Sequence, residues 1–115
     1  MIATMTGSSG YRMPAEYAPQ DRVWMAFPCV GYSLGVTAEE QHEARGTWAA
    51  VAHAVAEFEP VTMVVHPGER AIADRYLSAA IDIIEAPVND AWMRDIGPTF
   101  VHAADGSVAA VDWVF

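Results

Sequence analysis

Residues 60–68 read Pro60-Val61-Thr62-Met63-Val64-Val65-His66-Pro67-Gly68, and their reading sets the fold of everything around them. Pro60 lacks an amide hydrogen and stops any helix arriving from upstream. Val61 to Val65 is a β-branched run of strand length. His66-Pro67-Gly68 is a turn. Beyond it, Glu69 to Ala80 predicts a helix, with Ile72, Tyr76 and Ala80 on one face. Ile81 to Ala86 predicts a second strand. A strand, a helix and a strand in so short a span point to an α/β arrangement.

The pattern extends in both directions. Upstream, Arg22 to Phe27 is a short apolar run stopped by Pro28, consistent with a buried strand. The loop Cys29 to Val36 carries two glycines. Thr37 opens a helix, and Glu40 three residues later completes a capping box. In that helix Ala44, Trp48, Val51, Val55 and Phe58 form a stripe at helical spacing, expected to pack on the sheet. Gly46 sits inside it at a cost of about 1 kcal/mol relative to Ala. Downstream, Pro87 to Pro98 is a long polar and aromatic loop. Thr99 to Ala103 and Val108 to Phe115 predict strands, joined at the hairpin signal Asp105-Gly106. The order is β-α-β-α-β-loop-β-β.

Length and charge bound the rest. A chain of 115 residues holds one small domain. Residues 1–12, rich in Thr, Ser and Gly, are expected to be a flexible tail ahead of a domain over 13–115. The composition is 53% hydrophobic and 18% charged, enough apolar material for a packed core. The net charge of -9 argues against nucleic acid and anionic membranes as partners, because phosphate contacts need Lys and Arg. It suits a cationic ligand, and it also suits simple solubility. The single cysteine, Cys29, forms no internal disulfide, and neither a signal peptide nor an apolar spanning segment is evident, so a cytoplasmic location is expected. The Trp-Val-Phe ending of the last strand would be an aggregation-prone edge, and more protein is expected after it.

The densest chemistry lies in Asn89-Asp90-Ala91-Trp92-Met93-Arg94-Asp95-Ile96-Gly97-Pro98. Loops at strand ends are where sites are usually built. A carboxylate accepts two parallel N–H bonds from a flat guanidinium. An indole face takes up its positive charge, at about 0.5–2 kcal/mol. On the residues alone two readings stand. The loop is a receptor for a planar cation, with Asp95 turned into a concavity, or Arg94 pairs with Asp90 or Asp95 and Trp92 belongs to the core. A hydrolase using Asp90 and Asp95 as a carboxylate pair finds no support, since nothing sets their environments apart. Cys29 follows an apolar strand with no cationic neighbour in sequence, a poor nucleophile. His42, His53, His66 and His102 have no metal-ligand spacing and are expected on the solvent side, so no metal site is implied.

The segment NDAWMRDIGPTF, residues 89–100, resembles the signature of the agmatine deiminase and bacterial peptidyl-arginine deiminase family. MPAEYAPQDRVWMAFP (residues 13–28), FEPVTM (58–63) and AVDWVF (110–115) resemble further segments of that family in the same order. Gly31-Tyr32-Ser33-Leu34-Gly35 matches no family pattern. The resemblance implies a five-bladed α/β propeller of the pentein type, of which this chain is the N-terminal part: about the first blade and the start of the next. It implies hydrolysis of a guanidinium without cofactor, agmatine giving N-carbamoylputrescine and ammonia in putrescine biosynthesis. A cysteine thiolate attacks the guanidinium carbon and a histidine shuttles protons, both beyond Phe115. Asp95 matches the substrate-gripping aspartate and Trp92 the pocket tryptophan; Asp90 and Asn89 shape the pocket; Arg94 takes a structural salt bridge. The chain alone is then expected to be inactive, and an exposed inter-blade face to favour self-association. The remaining alternatives are a peptidyl-arginine substrate and a non-catalytic α/β binding module derived from the family.

Overall fold

The structure is a computed structural model describing residues 10–31 and 33–114. The tail expected over 1–12 thus lies outside the described residues except for its last three positions. The chain divides into two compact units, Gln20–Met93 and the pair of segments Met1–Pro19 and Arg94–Phe115.

The larger unit is built on three parallel strands in the order β1 (Val23–Ala26), β2 (Val61–Val65), β3 (Ile81–Glu85). Val23 pairs with Val61, and Val61 with Ile81. Strand β2 has a neighbour on each edge and is buried at every position, which is why its sequence is apolar except for Thr62. Parallel strands need crossovers, supplied here by α1 (Ala38–Ala56) and α2 (Arg70–Tyr76). The helices pack on each other, so both lie on one side of the sheet. Between them and the strands sits the core of Phe27, Ala49, Ala52, Val61, Met63, Val65, Ala73, Leu77 and Ile81. On the opposite face Thr62 is fully buried, its hydroxyl bonded by Arg22, whose guanidinium also reaches Asp82 at 3.7 Å.

Helix α1 starts where the sequence predicts. The Thr37 side chain accepts from the Glu40 amide at 3.1 Å, and the Glu40 carboxylate accepts from the Thr37 and Val36 amides at 2.9 and 2.8 Å. Those two amide bonds hold the Glu40 pKa below its ordinary value. The expected buried stripe needs correction. The sheet is met by Ala49 and Ala52, with Val55 and Ala56 packed beside them. Val51 is 49% exposed, and Phe58, beyond the helix end, is 88% exposed. Small alanines let α1 lie close on β2, so the large side chains are displaced to its flanks. One residue is about 100° of rotation, and the expected stripe lies about that far from the true contact line.

Helix α2 also differs. A 3₁₀ turn, Pro67–Glu69, precedes it, and the helix ends at Tyr76 instead of running to Ala80. The Ser78 amide is taken by His53 Nε2 at 3.0 Å, and the Ala80 amide by the Ser78 hydroxyl at 3.3 Å, so neither donor needs a helical carbonyl. Ala73 and Leu77 are the buried residues, Ile72 and Tyr76 are half-buried and Ala80 is exposed.

In the smaller unit, β4 (Thr99–His102) and β5 (Val108–Val111) form an antiparallel hairpin. Its turn carries Gly106 at φ 84, where the left-handed backbone favours glycine. Asp105 accepts from the Ser107 hydroxyl at 2.6 Å and amide at 2.9 Å, which holds its carboxyl below the usual range. Strand β5 stops at Val111, short of the predicted Phe115, which is outside the described residues. The Trp113 indole instead donates to the Thr99 hydroxyl at 2.9 Å. Arg12 exchanges two backbone hydrogen bonds of 2.8 Å with His102, so the predicted tail is tied down at its last residue.

Candidate functional site

Three loops follow the carboxyl ends of β1, β2 and β3, the end of a parallel sheet where ligands usually bind. The first, after β1, contains Cys29, Gly31 and Ser33. The third, after β3, contains Val88 to Trp92. They are tied together directly. The Cys29 thiol donates to the Val88 carbonyl at 3.2 Å. The Ser33 hydroxyl donates to Asp90 Oδ1 at 2.6 Å, and the same Oδ1 accepts from the Ala91 amide at 2.8 Å. The Ala91 amide also lies 3.4 Å from the Ser33 oxygen. Gly31, at φ 152, lies so close to the third loop that a Cβ there would sit 2.8 Å from the Asn89 carbonyl oxygen.

The middle loop is anchored to α1. Arg45 pairs with Glu69 at 3.1 Å, both side chains largely covered, and Arg45 Nε is buried without a partner among the described residues. Burial raises the Cys29 pKa, and the negative charges of Glu69 and then Asp90 raise it further. A neutral, buried thiol engaged with a carbonyl is a structural cysteine, which agrees with its exclusion as a nucleophile.

Each residue singled out in the motif has a clear setting. Asp90 is half-buried and spends its Oδ1 organising its own loop. Trp92 is 54% exposed, not core, and meets Trp48 of α1 edge-on, with centroids 5.6 Å apart. Met93–Ile96 forms a single helical turn, α3, inside what the sequence presents as a continuous loop. Asp95 lies in this turn and is exposed, not turned inward as expected; it makes no hydrogen bond or ion pair among the described residues. Arg94 pairs with Glu16 at 2.8 Å, a partner other than the neighbouring aspartates. The indole and the Asp95 carboxylate are therefore both available to solvent, while Asp90 and Arg94 are already engaged.

The histidines are more engaged than their sequence context suggests. Only His42 is exposed, and its Nδ1 lies 2.6 Å from the Tyr76 hydroxyl. His66 caps the 3₁₀ turn by accepting from the Gly68 amide at 3.1 Å. Among the described residues no group of His, Cys, Asp and Glu is placed to hold a metal ion, and no helix is long and apolar enough to cross a membrane. Sequence reasoning missed Ser33, Gly31 and Trp48 as neighbours of the motif loop. Ser33 and Asp90 are 57 positions apart, beyond any local pattern.

The family model of the Porphyromonas-type peptidyl-arginine deiminase matches residues 12–115. The chain is 53% identical over 105 residues to the "Putative agmatine deiminase" of Streptomyces coelicolor, covering 91% of this chain and 31% of that protein. It is 41% identical over 111 residues to the agmatine deiminase of Pseudomonas putida, covering 94% of this chain and 29% of the relative. The solved agmatine deiminase of Enterococcus faecalis superimposes with a TM-score of 0.78 at 35% identity, over 92% of this chain and 28% of that one. The chain thus spans about 30% of the length of the relatives it matches.

Proposed function

Because this chain belongs to the Porphyromonas-type peptidyl-arginine deiminase family, we propose that it is the N-terminal, guanidine-gripping part of an agmatine deiminase-like hydrolase acting on C–N bonds. The observation that carries this reading is Trp92, in T-shaped contact with Trp48 and more than half open to solvent. A flat cation stacks on such a face. The exposed Asp95, without a protein partner among the described residues, supplies a carboxylate for paired N–H donors. In the proposed reaction a thiolate attacks the guanidinium carbon and ammonia leaves on protonation. Water then displaces the thiol, giving the ureido product. Cys29 does not supply that thiolate, since it is buried and held neutral. The thiolate and the imidazole come from the length of the relatives that this chain does not span. Asp95 and Trp92 contribute positioning.

The same reading makes the α/β unit described here about the first blade of a five-bladed propeller, in a cytoplasmic enzyme of putrescine biosynthesis. The names of the relatives favour free agmatine over peptidyl-arginine. Exposed apolar side chains on each unit, Phe58 on the larger and Trp113 on the smaller, favour self-association of the 115-residue chain alone.

The test is an ammonia-release assay on the chain alone and on a chimera in which it replaces the matching segment of the Pseudomonas putida agmatine deiminase. The chimera is expected to turn over agmatine, the chain alone to be silent. Asp95→Asn and Trp92→Ala in the chimera are expected to lower kcat/KM by about 100-fold and 10-fold respectively. Chimera activity indifferent to both substitutions sinks the site assignment. Cys29-dependent turnover by the chain alone sinks the proposed division of labour.

A further inference from the structure

The segment Gly31-Tyr32-Ser33-Leu34-Gly35 has no place in the family resemblance, yet Ser33 and Gly31 touch the motif loop. We propose that Ser33 is a positioning residue for the guanidine-binding loop, acting through Asp90, with Gly31 as the close-packed support beneath it. The proposal rests on reading residues 89–95 as that loop.

The geometry carries it as follows. Trp92 can receive a cation only if its ring is held in place, and its backbone follows directly from Asp90 and Ala91. Asp90 Oδ1 gathers two donors: the Ser33 hydroxyl from the loop after β1, and the Ala91 amide from its own loop. A carboxylate acceptor makes these short, strong bonds. The Ser33 oxygen lies 3.4 Å from the same amide, so hydroxyl, carboxylate and amide form a closed triangle. One position further along, Trp92 packs against Trp48 in a T-shaped contact, with ring centroids 5.6 Å apart. The other side of the loop is set by Gly31, which lets the Asn89 carbonyl approach closer than any side chain would permit. Leu34, the residue after Ser33, is 2% exposed and anchors the cradle in the protein. Gly31 and Ser33 of the loop after β1 thus shape the loop after β3. Asp90, which the family comparison leaves without a stated chemical role, acts as the joint between them.

The experiment uses the full 115-residue chain labelled with ¹⁵N. It reads three quantities: hydrogen exchange at the Ala91 amide, the Trp92 indole resonance during an agmatine titration, and the urea midpoint. Ser33→Ala is expected to speed Ala91 exchange about tenfold, as the loop opens locally, with the urea midpoint kept. Agmatine binding read at Trp92 is expected to weaken about fivefold. Ser33→Thr retains the hydroxyl and is expected to restore both. Ala91 exchange unchanged in Ser33→Ala, failure of Ser33→Thr to restore it, or loss of the cooperative urea transition in Ser33→Ala overturns the assignment; the last outcome makes Ser33 a general structural residue. If the unsubstituted chain shows no agmatine-induced shift at Trp92, the guanidine reading fails, while the exchange measurements still decide whether Ser33 holds the loop.

Discussion

Replacing Ala52 by leucine tests where α1 meets the sheet. Ala52 is fully buried on α1, inside the cluster that includes Met63, Val61 and Val65. An isobutyl group in place of its methyl has no free volume to enter, and the helix must lift or the strand side chains must leave their rotamers. Overpacking of this kind costs about 1–3 kcal/mol. With a urea m-value of about 1–3 kcal/mol/M for a unit this small, the midpoint should fall by roughly 1 M. The thermal midpoint should fall by about 4–8 °C for each kcal/mol lost. Phe58→Ala is the companion variant. Phe58 is 88% exposed, so its removal should stay within about 0.5 kcal/mol. Both are read by circular dichroism during urea titration. If Ala52→Leu leaves the midpoint unchanged while Phe58→Ala lowers it by more than about 1 kcal/mol, the helix is rotated relative to the structure and the reasoning fails.

Thr37→Ala should destabilise α1 by about 1 kcal/mol at neutral pH, measured by urea titration. Because the folded-state pKa of Glu40 is depressed, its contribution is present above the unfolded carboxylate value and lost as pH falls through the folded one; Glu40→Gln should flatten that part of an acid titration of stability, and an unaltered profile counts against it. Cys29 should react with a thiol reagent at least about tenfold more slowly in the native chain than in urea-unfolded chain, since it is buried and its pKa is raised; equal rates contradict its placement. Gly106→Ala should destabilise the hairpin by about 1–2 kcal/mol through its positive φ alone, because open space surrounds the position; amide exchange in β4 and β5 reports this, and no increase there argues against the turn.

Much of this architecture was legible because it is written locally. The bounds of β2 follow from a proline, a β-branched run and a turn, and the start of α1 from a capping box that the structure reproduces bond for bond. The contact line of α1 was not legible, because ranking residues by size favours Trp48, Val51 and Phe58 whereas close helix–sheet packing selects Ala49 and Ala52. The end of α2 was hidden for a different reason: the Ser78 amide is captured by His53, 25 positions away. At the site, the motif itself stood out in the sequence, whereas the exposed setting of Asp95, expected to face a concavity, did not. The short turn α3 and the true partner of Arg94 did not stand out, since Glu16 lies 78 positions upstream. Ser33 was invisible as a partner of Asp90 until folding brought two loops together.

The parallel pairing of β1, β2 and β3 also orders events in time. Val61 meets Ile81 across a short crossover, whereas Val23 must wait for Val61 across the whole of α1. Closing the shorter loop costs less chain entropy, so β2, α2 and β3 should associate first and β1 join last. Synthesis delivers the strands in the opposite sense: Val23 to Phe27 leaves the ribosome well before any partner strand exists. During that interval an apolar segment with Trp24, Met25 and Phe27 is unpaired, the kind of surface on which chaperones act. Transition-state φ-values near one around Val65 and Ile84, with values near zero in β1, would mark this order, and the reverse distribution would place nucleation at β1 instead.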